Sequence, residues 1–303
     1  MTAALPKSVR IVEVGARDGL QNEAGTVSIE TKLALIDGLA AAGLRTIEAG
    51  SFVSAKWVPQ MADTAALLAR LHRQPKVSYP VLVPNMKGFE AALAAGVEEI
   101  AIFGSASESF SRHNINCSIA ESLDRFRPVA AAAAAHGIKV RGYISCALGC
   151  PYEGEVTPAA VAEFAGLLDQ LGCSELSLGD PIGIGTPLKA RAMLEAVAAR
   201  VPIGRLALHF HDTYGQALAN IFACLELGAA VIDSAVGGLG GCPFAPGAAG
   251  NVATEDVVFM LDGMGIATGI DLAALAAVGR KVSAALGRAP ISKVAQVLAK
   301  QVR

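Results

Sequence analysis

His209-Phe210-His211-Asp212 sets two imidazoles two residues apart. On a strand that spacing turns both rings to one side and Phe210 to the other. Two imidazoles on one face can begin a metal site, although two hydrogen-bonded structural histidines would show the same spacing. Asp18, in Val14-Gly15-Ala16-Arg17-Asp18-Gly19, would add a carboxylate, and Asn251 an amide oxygen. Such a thiolate-free set suits Mg²⁺, Mn²⁺ or another first-row divalent ion better than structural zinc. His72, His113 and His136 lack such companions and read as surface or packing residues.

Asn251 closes a run, Gly237 to Asn251, that holds six glycines, two prolines and Cys242. Glycine gives up folding entropy, so this density predicts φ > 0 turns, close approach to a ligand, or motion. A plain surface connection has the same composition. Cys242, set among glycines, is the exposed thiol; Cys117, Cys146, Cys150, Cys173 and Cys224 read as small core hydrophobes. Cys146 and Cys150 stand too far apart for Cys-x-x-Cys, and free thiols are expected throughout.

With 303 residues and a net charge of −2 from scattered groups, the chain lacks the basic footprint of sequence-independent nucleic-acid binding. Mean hydropathy is +0.47, but alanine carries much of it and no 18-residue uncharged apolar run exists, which argues against a membrane. The segment from Met1 to Val14 has no uninterrupted apolar stretch of signal-peptide length, so a cytoplasmic location is expected.

The elements that must position these residues alternate regularly. Candidate strands are Val9 to Val14, Arg45 to Ala49, Val77 to Val83, Glu99 to Phe103, Lys139 to Ser145, Glu175 to Leu178, Leu206 to His211 and Val231 to Val236. Helical periodicity marks the segments between them, among them Ile29 to Ala42, Ile119 to His136, Pro158 to Leu171 and Leu188 to Ala199. Eight strands about 30 residues apart fit an α/β fold, a single-domain (β/α)₈ TIM barrel over residues 1–303. The alternative is an open doubly wound sheet, which the missing Gly-x-Gly-x-x-Gly after the first strand disfavours. Glu255 to Met264, Leu272 to Leu286 and Ser292 to Lys300 predict further C-terminal helices, to cap the barrel or pair subunits.

In a barrel, the carboxyl ends of the strands converge on one mouth. Arg17, Asp18, Glu48, Asn85, Asp180, His209 and His211 all fall at strand ends, and the glycine loop follows the last strand. Charged groups so placed need partners or a metal.

Val12 to Glu23 resembles the opening signature of the 3-hydroxy-3-methylglutaryl-CoA lyases. The similarity continues through Ser51 to Gln60, Val83 to Gly88, Asn114 to Cys117, Cys150-Pro151-Tyr152, His209 to Ala217 and the glycine loop to Asn251, ending at Ser292 to Gln296. The Arg-Asp-Gly and His-x-His elements also occur in a wider metal-dependent superfamily with isopropylmalate and homocitrate synthases; the Cys242 loop is more specific to the lyases.

The resemblance implies a homodimeric enzyme acting on a small-molecule acyl-CoA, with Mg²⁺ or Mn²⁺ held by Asp18, His209, His211 and Asn251. It places Arg17, Gln21, Ser51 and Asn85 at the substrate, Cys242 on a mobile loop, and Glu48, Asp180 and His209 among the catalytic residues. The implied retro-Claisen cleavage needs a deprotonated tertiary hydroxyl, a stabilised thioester enolate and a proton for the resulting carbanion. Asp18 or a neighbour would take the hydroxyl proton, Arg17 would face the enolate oxygen, and Cys242 would protonate the carbanion. Glu48 and Asp180 would orient Arg17 or relay protons. Gly50, Ala55 and Pro181, close to the mouth, depart from the Thr, Pro and Thr common at those positions; loss of a hydroxyl beside Asp180 and a proline that restricts its backbone would alter the acyl pocket and admit a larger branched 3-hydroxyacyl substrate. The rival functions are a Claisen-condensing acyltransferase joining acetyl-CoA to a 2-oxo acid, and a non-catalytic CoA-ligand binder.

Overall fold

The computed structural model describes residues 5–23, 25–241 and 249–301. Its first half contains β1 (Arg10–Glu13), α1 (Ile29–Ala41), β2 (Thr46–Ile47), β3 (Gly50–Ser51), α2 (Thr64–Arg70), β4 (Val81–Leu82), α3 (Met86–Ala94), β5 (Glu99–Ser105), α4 (Glu108–Ile115) and α5 (Ile119–Ala135). There follow β6 (Lys139–Ser145), α6 (Pro158–Gln170), β7 (Glu175–Asp180), α7 (Pro187–Ala198), β8 (Leu206–Phe210), α8 (Ala217–Leu225), β9 (Val231–Ser234), α9 (Thr254–Gly263), α10 (Leu272–Ala285) and α11 (Lys293–Gln301).

All strand pairings are parallel, in the order β2-β1-β9-β8-β7-β6-β5-β4-β3. β2 and β3 are two halves of one barrel strand. β2 pairs with β1 and β3 with β4, while the Glu48 N–H donates to Glu13 O and the Ala49 N–H to Pro80 O. The ring therefore closes, and the predicted eight-stranded TIM barrel is the observed fold. The expected strand from Val77 to Val83 shrinks to β4, because Pro80 has no N–H to give the ladder. The strand expected to reach His211 stops at Phe210, and His211 instead bridges to Asn251.

Local signals set the helix starts. Ser118 and Glu121 form a reciprocal capping box at α5, and Thr157 caps α6 with Pro158 in its first turn. Apolar side chains such as Ile36, Phe89, Phe126, Leu168, Leu194 and Ile221 pack between helices and strands and are buried. Of the C-terminal helices, α10 packs on α1 and on the turn after β9, and α11 on α9 and α10. No described helix is long and apolar enough to cross a membrane.

Candidate active site and metal centre

β1 leads directly into a wide π-helical turn, Gly15–Gly19, in which the Gly19 N–H reaches back to Val14 O at 3.1 Å. Glycine is required at both ends of this turn. A Cβ on Gly15 would lie 2.6 Å from Glu13 Oε1, and one on Gly19 2.6 Å from Leu239 Cβ. Pressed against Glu13 and Leu239, the turn carries Arg17 and Asp18 into the barrel mouth. A π-type turn at such a place is a recurrent device of functional sites.

Arg17 is buried and held on two sides: its Nε donates to Glu48 Oε2 at 2.7 Å and its Nη1 to Asp18 Oδ1 at 2.7 Å. Its Cζ lies 5.2 Å from the centre of the Tyr143 ring. Burial opposes the charge, but Glu48 and Asp18 outweigh it and keep the guanidinium firmly protonated. Asp18 shows the same balance from the other sign. Burial alone would raise its pKa; Arg17, His209, His211 and a hydrogen bond from Asn251 bring it down to about 2. Asp18 is therefore held as an anion.

His209 Nε2 stands 3.7 Å and His211 Nε2 4.0 Å from Asp18 Oδ2, too long for hydrogen bonds. The Asn251 amide donates to the same Oδ2 at 2.8 Å, and its buried Oδ1 has no partner among the described residues. Potential ligand atoms of Asp18, His209 and His211 all lie within 4.8 Å of one another. Burial and the neighbouring His209 lower the His211 pKa to about 4, so its imidazole is neutral and able to ligate near neutral pH. One carboxylate and two imidazoles gathered about one point, with Asn251 hydrogen-bonded to that carboxylate and its amide oxygen unpartnered among the described residues, fit a hard divalent cation.

The other expected site residues divide. Glu48 joins the site: its Oε2 accepts from Arg17 and, at 3.2 Å, from the Tyr143 hydroxyl, while Oε1 is buried without a partner among the described residues, and burial raises its pKa. Asp180 is spent on backbone, its two oxygens accepting from the Gly183 and Gly185 N–H groups at 3.0 and 2.7 Å. No Arg17 contact to Asp180 occurs among the described residues. Pro181 follows Asp180 in the turn that the Gly183 N–H closes onto Asp180 O, a natural place for proline. Asn85 is exposed and caps α3 by accepting from the Gly88 N–H. Ser51 is buried, its Oγ accepting from the Val53 N–H, and Gln21 is half-buried beside the Gly15–Gly19 turn.

Gly50 does not face the mouth. A Cβ there would lie 2.7 Å from Thr64 Oγ1, and that hydroxyl accepts from the Ser51 N–H. The side-chain space at Gly50 is thus filled from α2, and the departure from Thr enlarges no acyl pocket.

Cys242 lies outside the described residues. The described stems of its loop are anchored on both sides: the Gly240 N–H donates to Glu23 Oε1, Glu23 pairs with Arg288, and Gly250 O accepts from the Asp212 N–H. The other five thiols are free and buried, as expected of core cysteines, and burial pushes Cys173 and Cys224 up to about 12.

The loop leaves β9 through Gly237 and Gly238, both at φ 66°. Glu255 holds this exit, both its oxygens accepting from the Gly237 N–H, and Glu13 accepts from the Val236 N–H and Thr254 Oγ1. Burial raises Glu13 to about 7 and Glu255 to about 8. Raised folded-state values mean that these groups favour folding fully below the unfolded carboxylate pKa and lose that contribution as pH rises through about 7 and 8. Glu255→Gln, permanently neutral, is expected to flatten the fall in metal-free stability between pH 6 and 8 by about 1 kcal/mol per pH unit. Urea unfolding at both pH values checks this; an unchanged slope would contradict it.

Sequence reasoning missed Arg141, Tyr143, Ser177 and Asp233, which join His209 and Glu48 inside the barrel. The available signal was a charge within the apolar runs of β6 and β9, where burial without a partner is costly.

The HMGL-like protein family matches residues 8–282. A Pseudomonas aeruginosa 3-hydroxy-3-isohexenylglutaryl-CoA/hydroxy-methylglutaryl-CoA lyase is 58% identical over 294 residues, covering 97% of this chain and 98% of that protein. The crystal structure of a hydroxymethylglutaryl-CoA lyase from Pseudomonas aeruginosa superposes with a TM-score of 0.96 at 57% identity, covering 98% and 99% of the two chains. An Acinetobacter baumannii HMG-CoA lyase in complex with coenzyme A and 3-methylmalate superposes with a TM-score of 0.92 at 36% identity, covering 97% and 96%.

Proposed function

The chain belongs to the HMGL-like family, and on that footing we propose that it is a divalent-metal-dependent carbon–carbon lyase cleaving 3-hydroxy-3-methylglutaryl-CoA to acetyl-CoA and acetoacetate. The observation that carries this reading is the Arg17–Asp18 pair, which sets a fixed guanidinium beside a cation-binding set in one mouth. The barrel and the lyase relatives of nearly equal length support the same reading.

In the reaction the 3-hydroxyl loses its proton and its oxygen becomes a ketone. The C2–C3 bond breaks, its electron pair forms the thioester enolate, and C2 is then protonated. A Mg²⁺ or Mn²⁺ ion held by Asp18, His209, His211 and Asn251 would supply Lewis-acid polarisation of the substrate oxygens. Arg17, already locked by Glu48 and Asp18, presents its remaining N–H donors to the oxygen on which enolate charge grows, and pays no reorganisation there. Glu48, with a raised pKa and one unpartnered oxygen, is the better proton relay, whereas Asp180 stabilises the turn after β7. Gln21 and Ser51 stand near the mouth as substrate contacts, while Asn85 serves α3.

Cys242 completes the proposal as the acid that protonates C2, a role for which a thiol with an ordinary pKa of about 8.5 suffices near neutral pH. Cys242→Ser is expected to lower kcat by at least about 100-fold, the scale of general acid catalysis, with Mn²⁺ affinity unchanged. Parallel loss of Mn²⁺ binding would refute the assignment. The proposal also takes the protein as a cytoplasmic homodimer, which light scattering and cell fractionation test.

A panel of 3-hydroxy-3-alkylglutaryl-CoA esters tests the substrate. With Gly50 filled by Thr64, the methyl compound is expected to give the highest kcat/KM. Preference for an isohexenyl-sized group, in the sense of the Pseudomonas relative's name, would contradict that expectation. Net condensation of acetyl-CoA with a 2-oxo acid would favour the acyltransferase, and binding without turnover the inert ligand binder.

A further inference from the structure

Arg141 on β6 and Asp233 on β9 are not strand neighbours, yet their side chains meet across the barrel interior in a two-pronged ion pair at 2.9 and 2.6 Å. Both are 1% exposed. A buried pair of this kind carries a large desolvation cost and adds little net stability, so its stability alone is a poor explanation for its presence. The rest of its contacts point to a task. Arg141 Nε donates to Glu175, which also binds Arg10, and Nη1 donates to the Tyr143 hydroxyl at 2.9 Å. Asp233 Oδ2 accepts from Ser177 Oγ at 2.7 Å and meets His209 Nδ1 at 3.1 Å.

His209 and Asp233 are register partners on β8 and β9, so sheet geometry itself sets ring against carboxylate. An ionised carboxylate only accepts hydrogen bonds. Asp233 already takes three from Arg141 and Ser177, which hold it anionic and fixed in position. Its contact with His209 must therefore have Nδ1 as the donor, which leaves the Nε2 lone pair directed at Asp18 and His211. We propose that Asp233, clamped by Arg141 and Ser177, is a positioning residue that fixes His209 in the Nδ1–H tautomer and thereby sets the affinity of the site for a divalent cation.

The same arginine reaches the other half of the site through Tyr143, Glu48 and Arg17. One buried pair at the barrel's centre thus braces both the cation-binding imidazole and the substrate-facing guanidinium. Partners of this kind commonly tune cation affinity by about 10- to 100-fold.

The inference rests on the metal reading of Asp18, His209 and His211, and its test separates the two. In metal-free wild-type protein with ¹⁵N-labelled histidine, the His209 resonances, assigned by their loss in His209→Gln, are expected to show a protonated Nδ1 and an unprotonated Nε2. The opposite tautomer would overturn the proposal even if the metal reading holds. Mn²⁺ titration followed by electron paramagnetic resonance is expected to give a Kd for Asp233→Asn about 10- to 100-fold above wild type. Equal affinity would also overturn it. Should Asp233→Asn fail to fold, the wild-type spectrum decides alone. Absence of Mn²⁺ binding by the wild type would instead defeat the metal reading.

Discussion

Arg17→Gln is expected to lower kcat by about three orders of magnitude while leaving Mn²⁺ affinity within a few-fold of wild type. The guanidinium touches Asp18 through Nη1 but is itself no ligand, so the cation-binding set loses no donor atom. What is lost is a preorganised cation facing the oxygen that gains charge. A single neutral donor in such a position contributes about 10²- to 10³-fold, and a charged, buried donor belongs at the upper end of that range or beyond it. Glu48 would be left buried without its arginine and, its pKa already raised, would go neutral rather than unfold the barrel. Arg17→Lys keeps the charge but cannot span Glu48 and Asp18 together, and should recover only part of the activity. A kcat within tenfold of wild type for Arg17→Gln would remove Arg17 from the chemistry.

Asp18→Asn is the second large effect: Mn²⁺ affinity should fall by at least about 100-fold, and turnover with it. Asparagine keeps the shape and one oxygen, so the change isolates charge. Asp18 is the only carboxylate among Asp18, His209, His211 and Asn251, and the field that holds it ionised at a pKa of about 2 also makes it the anion a divalent cation would meet. The substitution also turns the ion pair with Arg17 Nη1 into at most a neutral-acceptor hydrogen bond, so activity at saturating Mn²⁺ should stay low. Isothermal titration of metal-free protein measures the first effect and steady-state kinetics the second. Unchanged Mn²⁺ affinity would mean that the cation is held elsewhere.

These expectations show what a sequence can reveal of a site. The strand and helix alternation made the barrel legible, because parallel strands buried on both faces read as short apolar runs. His209 and His211 were legible because strand period two puts them on one face, and Asp18 because its strand adjoins theirs through β9. The break between β2 and β3, where Glu48 sits, has no local signature; it depends on hydrogen bonds that alternate between two neighbouring strands. The surroundings of Gly50 were not legible because Thr64 of α2 fills the space beside it, a strand-to-helix contact that no local pattern marks. Asp180 and Asn85 were legible as strand-end residues, but the backbone N–H groups from which their side chains accept carry no residue label in a sequence. Arg141 and Asp233 stand 92 residues apart and meet only across a closed barrel.

The most direct measurement is product stoichiometry in chelator-stripped protein given 3-hydroxy-3-methylglutaryl-CoA, before and after Mn²⁺ is restored. Acetyl-CoA and acetoacetate in equal amounts, formed only with the ion and lost in Arg17→Gln, are the expected result. Turnover that is indifferent to the ion, or CoA release without acetoacetate, would contradict metal-dependent carbon–carbon cleavage by Arg17, Asp18, His209 and His211.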